Sequence, residues 1–354
     1  MPSKNLSGIR RNLLRWYDKA HRDLPWRRTR DPYAIWIAET MLQQTQVPTV
    51  IPYYERFTRA LPTVRALDRA PLRRVLILWS GLGYYRRAEN LKKAARVVLQ
   101  SHKGKIPATY NGLRSLPGVG DYTAGALMSI AFGKPYPALD GNTRRVLGRI
   151  FSIHDEQQLQ ETAKQLVLKF RPGDFNQGLM ELGATICSPK KPRCSECPVA
   201  SRCAARATRQ PGKRTTASKN RTVRDVEWPL VIVRNNGKIL LRRRPDSGIL
   251  AGLWELPGGE QRNRENLRTT LKRHCKELDA TSKLRRRVGE IRHSITYKRI
   301  RSPIFLLEAC PDKPMRLQGS HWRWLMPSSL RRYPVSSMTL KAAKLLTAYE
   351  KSSF

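Results

Sequence analysis

The hydrophobic period changes once along the chain, and that change constrains the fold more than any other feature. From about Leu6 to Cys203 the apolar residues recur at helical spacing, with short Pro and Gly breaks. Asp31-Pro32 reads as a helix start, with Asp as N-cap and Pro at the first helical position. Within Arg87 to Gln100, residues Ala88, Leu91, Ala95 and Val98 share one face, and Gly104 follows the end. From Ala204 to Arg224 there are seven Lys and Arg, no acid and a central Pro-Gly, which reads as a linker. Beyond it the period is two. Trp228 to Val233 and Lys238 to Arg242 flank Asn235-Asn236-Gly237, a hairpin signal because Asn and Gly tolerate the positive φ of a tight turn. Pro303 to Ala309 and His321 to Leu325 read as further strands, and Met338 to Tyr349 as a closing helix. The expected organisation is a helical domain over 1–203, a basic linker over 204–226 and a smaller α+β domain over 227–354, with no internal repeat.

The charge names the partner. The chain of 354 residues carries 68 Lys and Arg against 27 Asp and Glu, a net charge of +41. Such cations gain free energy on nucleic acid by releasing condensed counterions. A generally basic proteome or a membrane-surface protein are the blander readings. Apolar residues at 40% argue against disorder as the main state. No stretch approaches the ~18 consecutive apolar residues of a membrane span, and the N-terminus lacks the apolar core of a secretory signal.

Cys187, Cys194, Cys197 and Cys203 follow a C-x6-C-x2-C-x5-C pattern, while Cys275 and Cys310 stand far away. Four thiols this close, without a secretion signal, argue for metal rather than disulfides. Only one pair is close, which favours a 4Fe–4S cluster held by a wrapped loop over a zinc site built from two close couples. Zinc and free thiols stay open on spacing alone, and so does a purely structural role.

Leu116-Pro117-Gly118-Val119-Gly120 leads into Asp121-Tyr122-Thr123-Ala124-Gly125-Ala126. Gly118 and Gly120 let the backbone around Val119 approach an anion, and the helix start behind them adds a favourable dipole. This is the form of a helix–hairpin–helix clamp on phosphates, which holds DNA without reading bases. A plain turn between two helices is the alternative.

Two carboxylates lie in contrasting contexts. Ile35, Glu39 and Leu42 share the stripe of one helix that should face inward. Burial raises a carboxyl pKa, as a general acid near neutral pH requires, unless an internal Arg pairs with it. Asp140, in Ala138-Leu139-Asp140-Gly141-Asn142-Thr143, stands where an N-cap would accept backbone N–H groups and remain ionised. One neutral and one anionic carboxyl suit cleavage of a glycosidic bond through an oxocarbenium-like state; with DNA as partner that bond is N-glycosidic.

With these motifs in order, the chain resembles the MutY-type adenine DNA glycosylases of the endonuclease III, or helix–hairpin–helix, superfamily. The resemblance rests on Leu24-Pro25-Trp26, Glu39-Thr40-Met41-Leu42-Gln43-Gln44-Thr45, Gly81-Leu82-Gly83-Tyr84-Tyr85, the hairpin, Leu139-Asp140-Gly141-Asn142 and the cysteine loop. The run Gly252-Leu253-Trp254-Glu255-Leu256-Pro257-Gly258-Gly259-Glu260 extends it into the second domain. It implies a two-lobed all-α catalytic domain with a cluster loop, followed by an α+β, Nudix-like (MutT-like) domain. By that similarity Glu39 protonates adenine at N7, Asp140 stabilises the sugar cation, and Tyr122 and Asn142 orient the two. Arg22, Leu24, Trp26, Arg27 and Glu181 match positions lining the adenine pocket, although Trp26 also suits a core aromatic. Gln44 and Tyr84 match side chains that enter the base stack. The resemblance implies a 4Fe–4S cofactor on the four cysteines. The bifunctional relatives carry a catalytic lysine where this chain has Tyr122, which cannot form a Schiff base. Weak or no β-lyase activity is expected.

Gly259 to Leu278 keeps the skeleton of a Nudix box in Gly259, Glu265, Arg273 and Glu277, but His274 and Leu278 stand where two further acids would be. A hard cation needs several carboxylate oxygens, so the magnesium site reads as broken and a Nudix hydrolase is disfavoured. The resemblance implies that this domain meets 8-oxoguanine opposite the adenine, through a loop aligned with Arg292-His293-Ser294-Ile295-Thr296-Tyr297. Thr296 keeps a hydroxyl and Tyr297 replaces a histidine, which predicts altered discrimination against plain guanine. The expected partner is duplex DNA with A·8-oxoguanine or A·G mispairs, bound by a monomer with no membrane. The expected location is the bacterial cytoplasm and nucleoid, or a eukaryotic nucleus or mitochondrion. A thymine or uracil mismatch glycosylase of the same fold and a catalytically silent, cluster-bearing DNA-binding protein are the competing readings.

Overall fold

The structure, a computed structural model, describes residues 6–208, 223–245, 250–274, 286–295, 297–309, 317 and 321–352. Two compact units emerge: Met1–Ala70 with Glu89–Asn220, and Pro71–Ala88 with Arg221–Phe354. The sequence reading placed all of 1–203 in one domain. Instead, the helix Leu72–Trp79 and the Gly81-to-Tyr85 turn group with the C-terminal unit.

The first unit is helical. Helices Leu6–Ala20, Gly141–Phe151 and Pro172–Thr185 pack together around Ile9, Leu13, Val146, Leu147, Ile150, Phe175 and Leu182, with the cysteine loop against the same core. Helix Pro32–Leu42 packs on Val47–Ala60, on Asp121–Ala126 and on the π turn Leu127–Ala131 that continues it. Helix Pro172–Thr185 also touches that π turn, so the two helical groups share one seam. Gly173 makes the approach possible, because a Cβ there would stand 2.8 Å from the Ile130 Cα.

The second unit is α+β, as expected. Its strands are β1 (Arg224–Glu227), β2 (Leu230–Asn235), β3 (Lys238–Arg243), β4 (Trp254–Glu255), β5 (Arg286–Ile295), β6 (Lys298–Glu308) and β7 (Trp322–Leu325). They form one sheet ordered β1-β6-β2-β3-β4, with β5 also on β6 and β7 also on β3. Strand alternation sorts the two faces. Leu230 and Ile232 join Met338, Ala342 and Leu346 of helix Ser337–Ser352, whereas Val231 and Val233 join Leu271 of helix Leu267–His274. The β2–β3 turn has Asn236 at φ 46° and Gly237 at φ 72°, the left-handed pair its sequence calls for.

The stretch read as linker is structured at both ends: Ala204–Ala207 is helical and Arg224–Glu227 is β1. β1 pairs in parallel with β6 although all four of its side chains remain at least partly exposed, so it shows no apolar alternation to read. β5 escapes the pattern for a related reason. Only Val288 and Ile291 of its ten residues are buried, and a register shift lies between Arg287 and Gly289.

Candidate active site

Asp31 opens the central helix as read, its carboxylate accepting from the Tyr33 and Ala34 amides. The inward stripe is too modest a description. Tyr33 and every residue from Ile35 to Met41 are buried, so Glu39 lies in a helix enclosed on nearly all sides. Glu39 is 4% exposed, and burial pushes its carboxyl up to about 7. The hydroxyl of Tyr122 donates to Glu39 Oε2 at 2.5 Å and opposes that rise. The Asp140 charge adds to it, and Arg27 lowers it. Tyr122 is itself held well above its ordinary range, mainly by burial, and so stays a donor.

Asp140 caps helix Gly141–Phe151 in a reciprocal box. Its Oδ1 accepts the Thr143 amide at 2.7 Å, while the Asp140 amide donates to Thr143 Oγ1. Asn142 Nδ2 donates to Asp140 Oδ2 at 3.3 Å. These donors suit an ionised carboxylate.

Both carboxyls line a cavity of about 1100 Å³ in the first unit. Arg22, Leu24, Trp26, Arg27, Tyr122, Asn142 and Glu181 border it too. Glu181 is 1% exposed, and its two oxygens accept from Arg22 Nε at 2.6 Å and Arg27 Nη2 at 2.8 Å. Burial alone would raise its pKa, but the two guanidiniums outweigh that and hold it below the usual carboxylate range. Trp26 satisfies both of its readings, because it is buried edge-on to Tyr54 and also faces the cavity.

At the cavity edge the hairpin turns through Gly118, whose φ of 80° and 2.7 Å clearance to Asn90 Cβ exclude a side chain. A Cβ on Gly120 would meet nothing, so that backbone is open to an approaching group. Val119 does not share this role. Its side chain is buried and its amide donates to Leu116 O, so it braces the turn. Gln44 lies on the cavity rim in a left-handed conformation, φ 57°.

All four cysteines line a second, smaller cavity, with Val146, Ile150, Leu182 and Arg149 behind them. Among the described residues no three Cys, His, Asp or Glu form a group fit for a single metal ion. Four thiols lining one cavity are a donor set of the kind a polynuclear iron–sulfur cluster takes. Arg149 Nη1 donates to Cys187 Sγ at 3.3 Å and to Ser188 O at 2.7 Å. Arg145 joins this loop to the first cavity, donating to Cys187 O at 2.9 Å and to Asn142 Oδ1 at 2.9 Å.

Among the described residues, the acids of the Nudix-like box, Glu260 and Glu265, are engaged by cations. Arg273 chelates Glu265 through bonds of 2.8 and 2.7 Å and holds that carboxylate at about 2, and Lys298 pairs with Glu260. A magnesium ion would have to displace a guanidinium and an ammonium, so these residues do not fit the metal. Glu277, Leu278, Cys275 and Cys310 lie outside the described residues, as does Thr296. Arg292 to Ile295, read as loop, belong to β5; Tyr297, 38% exposed, lies between the ends of β5 and β6.

Residues 37–172 match the HhH-GPD superfamily of base excision DNA repair proteins, and 229–345 match the NUDIX domain. A thermostable thymine-DNA glycosylase superposes with TM-score 0.55 at 34% identity, covering 58% of this chain and 98% of that one. An endonuclease III–DNA complex, at 23% identity, TM-score 0.52 and coverage of 59% and 99%, shares the fold. The helical unit and its cavity thus define a helix–hairpin–helix base-excision repair protein. The adenine DNA glycosylase of Homo sapiens is 36% identical over 406 aligned positions, covering 96% of this chain and 74% of that protein. The chain belongs to the adenine DNA glycosylase family.

Sequence reasoning missed Gln177, Met180 and Ala184, which line the larger cavity together with Glu181. Met180 Sδ is 3.7 Å from the Tyr122 hydroxyl. Their spacing of i, i+3, i+4 and i+7 on helix Pro172–Thr185 was the available signal.

Proposed function

We propose that the chain excises adenine from A·8-oxoguanine and A·G mispairs in duplex DNA, acting as a monomer wherever its host keeps its chromosome. The observation that carries this reading is one cavity bordered by a buried carboxyl raised to about 7 and by a second whose oxygen accepts the Thr143 amide at 2.7 Å. Glu39 gives its proton to N7 of a flipped adenine, and the C1′–N9 bond breaks with its electron pair passing to the base. Asp140 offsets the positive charge left on the sugar. Water adds to C1′ and returns a proton to Glu39, so the cycle closes. Tyr122 positions the acid, and Asn142 the anion. Arg22 and Arg27, tied by Glu181, form a polar wall for the base beside Leu24 and Trp26. Gly118 and Gly120 approach the phosphate backbone, while Gln44 and Tyr84 fill the gap in the base stack. Tyr297 meets the lesion strand; Thr296, assigned with it from the sequence, lies outside the described residues.

Duplexes carrying each mismatch in turn, treated with and without alkali, test this. Expected are alkali-dependent breaks at adenine opposite 8-oxoguanine or guanine, and none at thymine or uracil. Excision of a pyrimidine would favour the thymine-glycosylase reading, and strand breaks without alkali would contradict a monofunctional enzyme. Equal single-turnover rates opposite 8-oxoguanine and guanine would remove the lesion-specific role of the second domain.

The cysteine loop would hold a 4Fe–4S cluster on Cys187, Cys194, Cys197 and Cys203. Bound there, the cluster would supply structure to a loop that Arg149 holds at Cys187 and that Arg145 ties to Asn142. Purified protein should show iron and acid-labile sulfide with a broad visible absorbance band. Zinc, with no such band, would overturn this assignment.

A further inference from the structure

The turn that carries Tyr84 belongs to the C-terminal unit, and its hydrogen bonds say why. Tyr84 is 42% exposed, unusual for so large an aromatic, and its φ of 49° is left-handed. Gly81 and Gly83 around it also have positive φ, 100° and 81°. A backbone of this kind is strained at a non-glycine residue and persists only where its surroundings enforce it. Two sets of contacts enforce it: Trp79 Nε1 and Arg87 Nη2 donate to Gly83 O at 3.0 and 3.2 Å, and a second set converges on the Val335 carbonyl. The buried Tyr85 hydroxyl donates to Val335 O at 3.0 Å and accepts the Gly81 amide at 3.0 Å, spanning the turn from inside. Ser80 Oγ donates to the same Val335 O at 3.1 Å, and Arg73 lies over the Tyr333 ring. Val335 is fixed in turn: it is 0% exposed and bridges Trp254 of β4, with Trp254 N on Pro334 O and Ser336 N on Trp254 O. Ser336 then begins helix Ser337–Ser352. A continuous set of bonds therefore runs from the sheet, through Val335 and Tyr85, to the backbone that displays Tyr84.

We propose that the Nudix-like domain positions Tyr84, and that Tyr85 is the positioning residue, its hydroxyl locking the turn onto Val335. This rests on the reading above that Tyr84 enters the base stack. It gives the second domain a task separate from meeting the opposite base. Lesion recognition and base extrusion would share one scaffold.

The test uses full-length protein and the variants Y84A, Y85F, S80A and Y84A/Y85F, each checked by thermal melting. One readout is 2-aminopurine fluorescence from a position next to the mispair, in a duplex whose adenine is replaced by an uncleavable analogue. The other is the single-turnover excision rate. Loss of the hydroxyl bonds should reduce both the fluorescence rise and the rate by about tenfold in Y85F, and less in S80A. The pH at which the rate falls should stay unchanged, because Glu39 is untouched. In the Y84A background, Y85F should add less than about twofold, since its effect runs through Tyr84. A Y85F effect that multiplies in full onto Y84A would overturn the proposal, as would a folded Y85F with wild-type fluorescence and rate. Failure of the functional reading is distinguishable. In that case wild-type protein would excise no adenine, whereas the fluorescence arm needs no cleavage.

Discussion

Replacing Glu39 with glutamine should lower the single-turnover rate of adenine excision by on the order of 10²–10⁴-fold while leaving mismatch binding intact. Glutamine matches the shape of the acid and still accepts from the Tyr122 hydroxyl, which bonds Glu39 Oε2 at 2.5 Å. It cannot give up a proton. Wild-type rate should fall as pH rises through about 7, because only the protonated carboxyl acts. Stability also falls with rising pH, over a lower window. The folded carboxyl titrates at about 7 instead of 4.5, so the wild type loses roughly 3 kcal/mol relative to a neutral isostere between those values and regains none above them. E39Q should accordingly melt higher than wild type at pH 8 and equally at pH 4, a separation readable by calorimetry. An inactive variant with raised alkaline stability is the signature of a buried acid; unchanged excision would require a different proton donor.

How much of this was legible depends on whether a residue's role is local. Asp31-Pro32 and Asp140 were readable because a cap needs only its own helix, and both accept the amides expected. Gly118 of the hairpin and the Asn236-Gly237 turn were readable because positive φ leaves few residue choices. Glu39 was half-legible. Its stripe predicted burial, but only the packing of three neighbouring elements encloses the helix that carries it. The grouping of Leu72 to Tyr85 with the C-terminal unit could not be read, since it depends on carbonyls such as Val335 O more than 240 residues away, with |i−j| of 250 for Tyr85. Backbone acceptors leave no trace in residue type. Strands β1 and β5 were invisible for the opposite reason, their side chains being largely charged or polar on a sheet edge that water reaches.

Substituting Asp140 by asparagine separates charge from architecture. Asparagine is as good an N-cap as aspartate, so the box with Thr143 and the helix behind it should persist, with a change in stability of at most about 1 kcal/mol. The negative charge that offsets the sugar cation is gone. Excision should slow on the order of 10²–10³-fold or more, the cost of removing one aligned electrostatic group from an enclosed site. The same change acts on the other carboxyl. Asp140 helps to raise Glu39, so D140N lets Glu39 ionise at lower pH, although burial, the larger cause, keeps it above its ordinary value. The residual rate of D140N should therefore begin to fall at a lower pH than that of wild type. A single-turnover pH profile followed over hours reads both numbers. A slow variant whose profile keeps the wild-type midpoint would mean that the two carboxyls do not sense one another, and the shared cavity would no longer explain how base and sugar are parted.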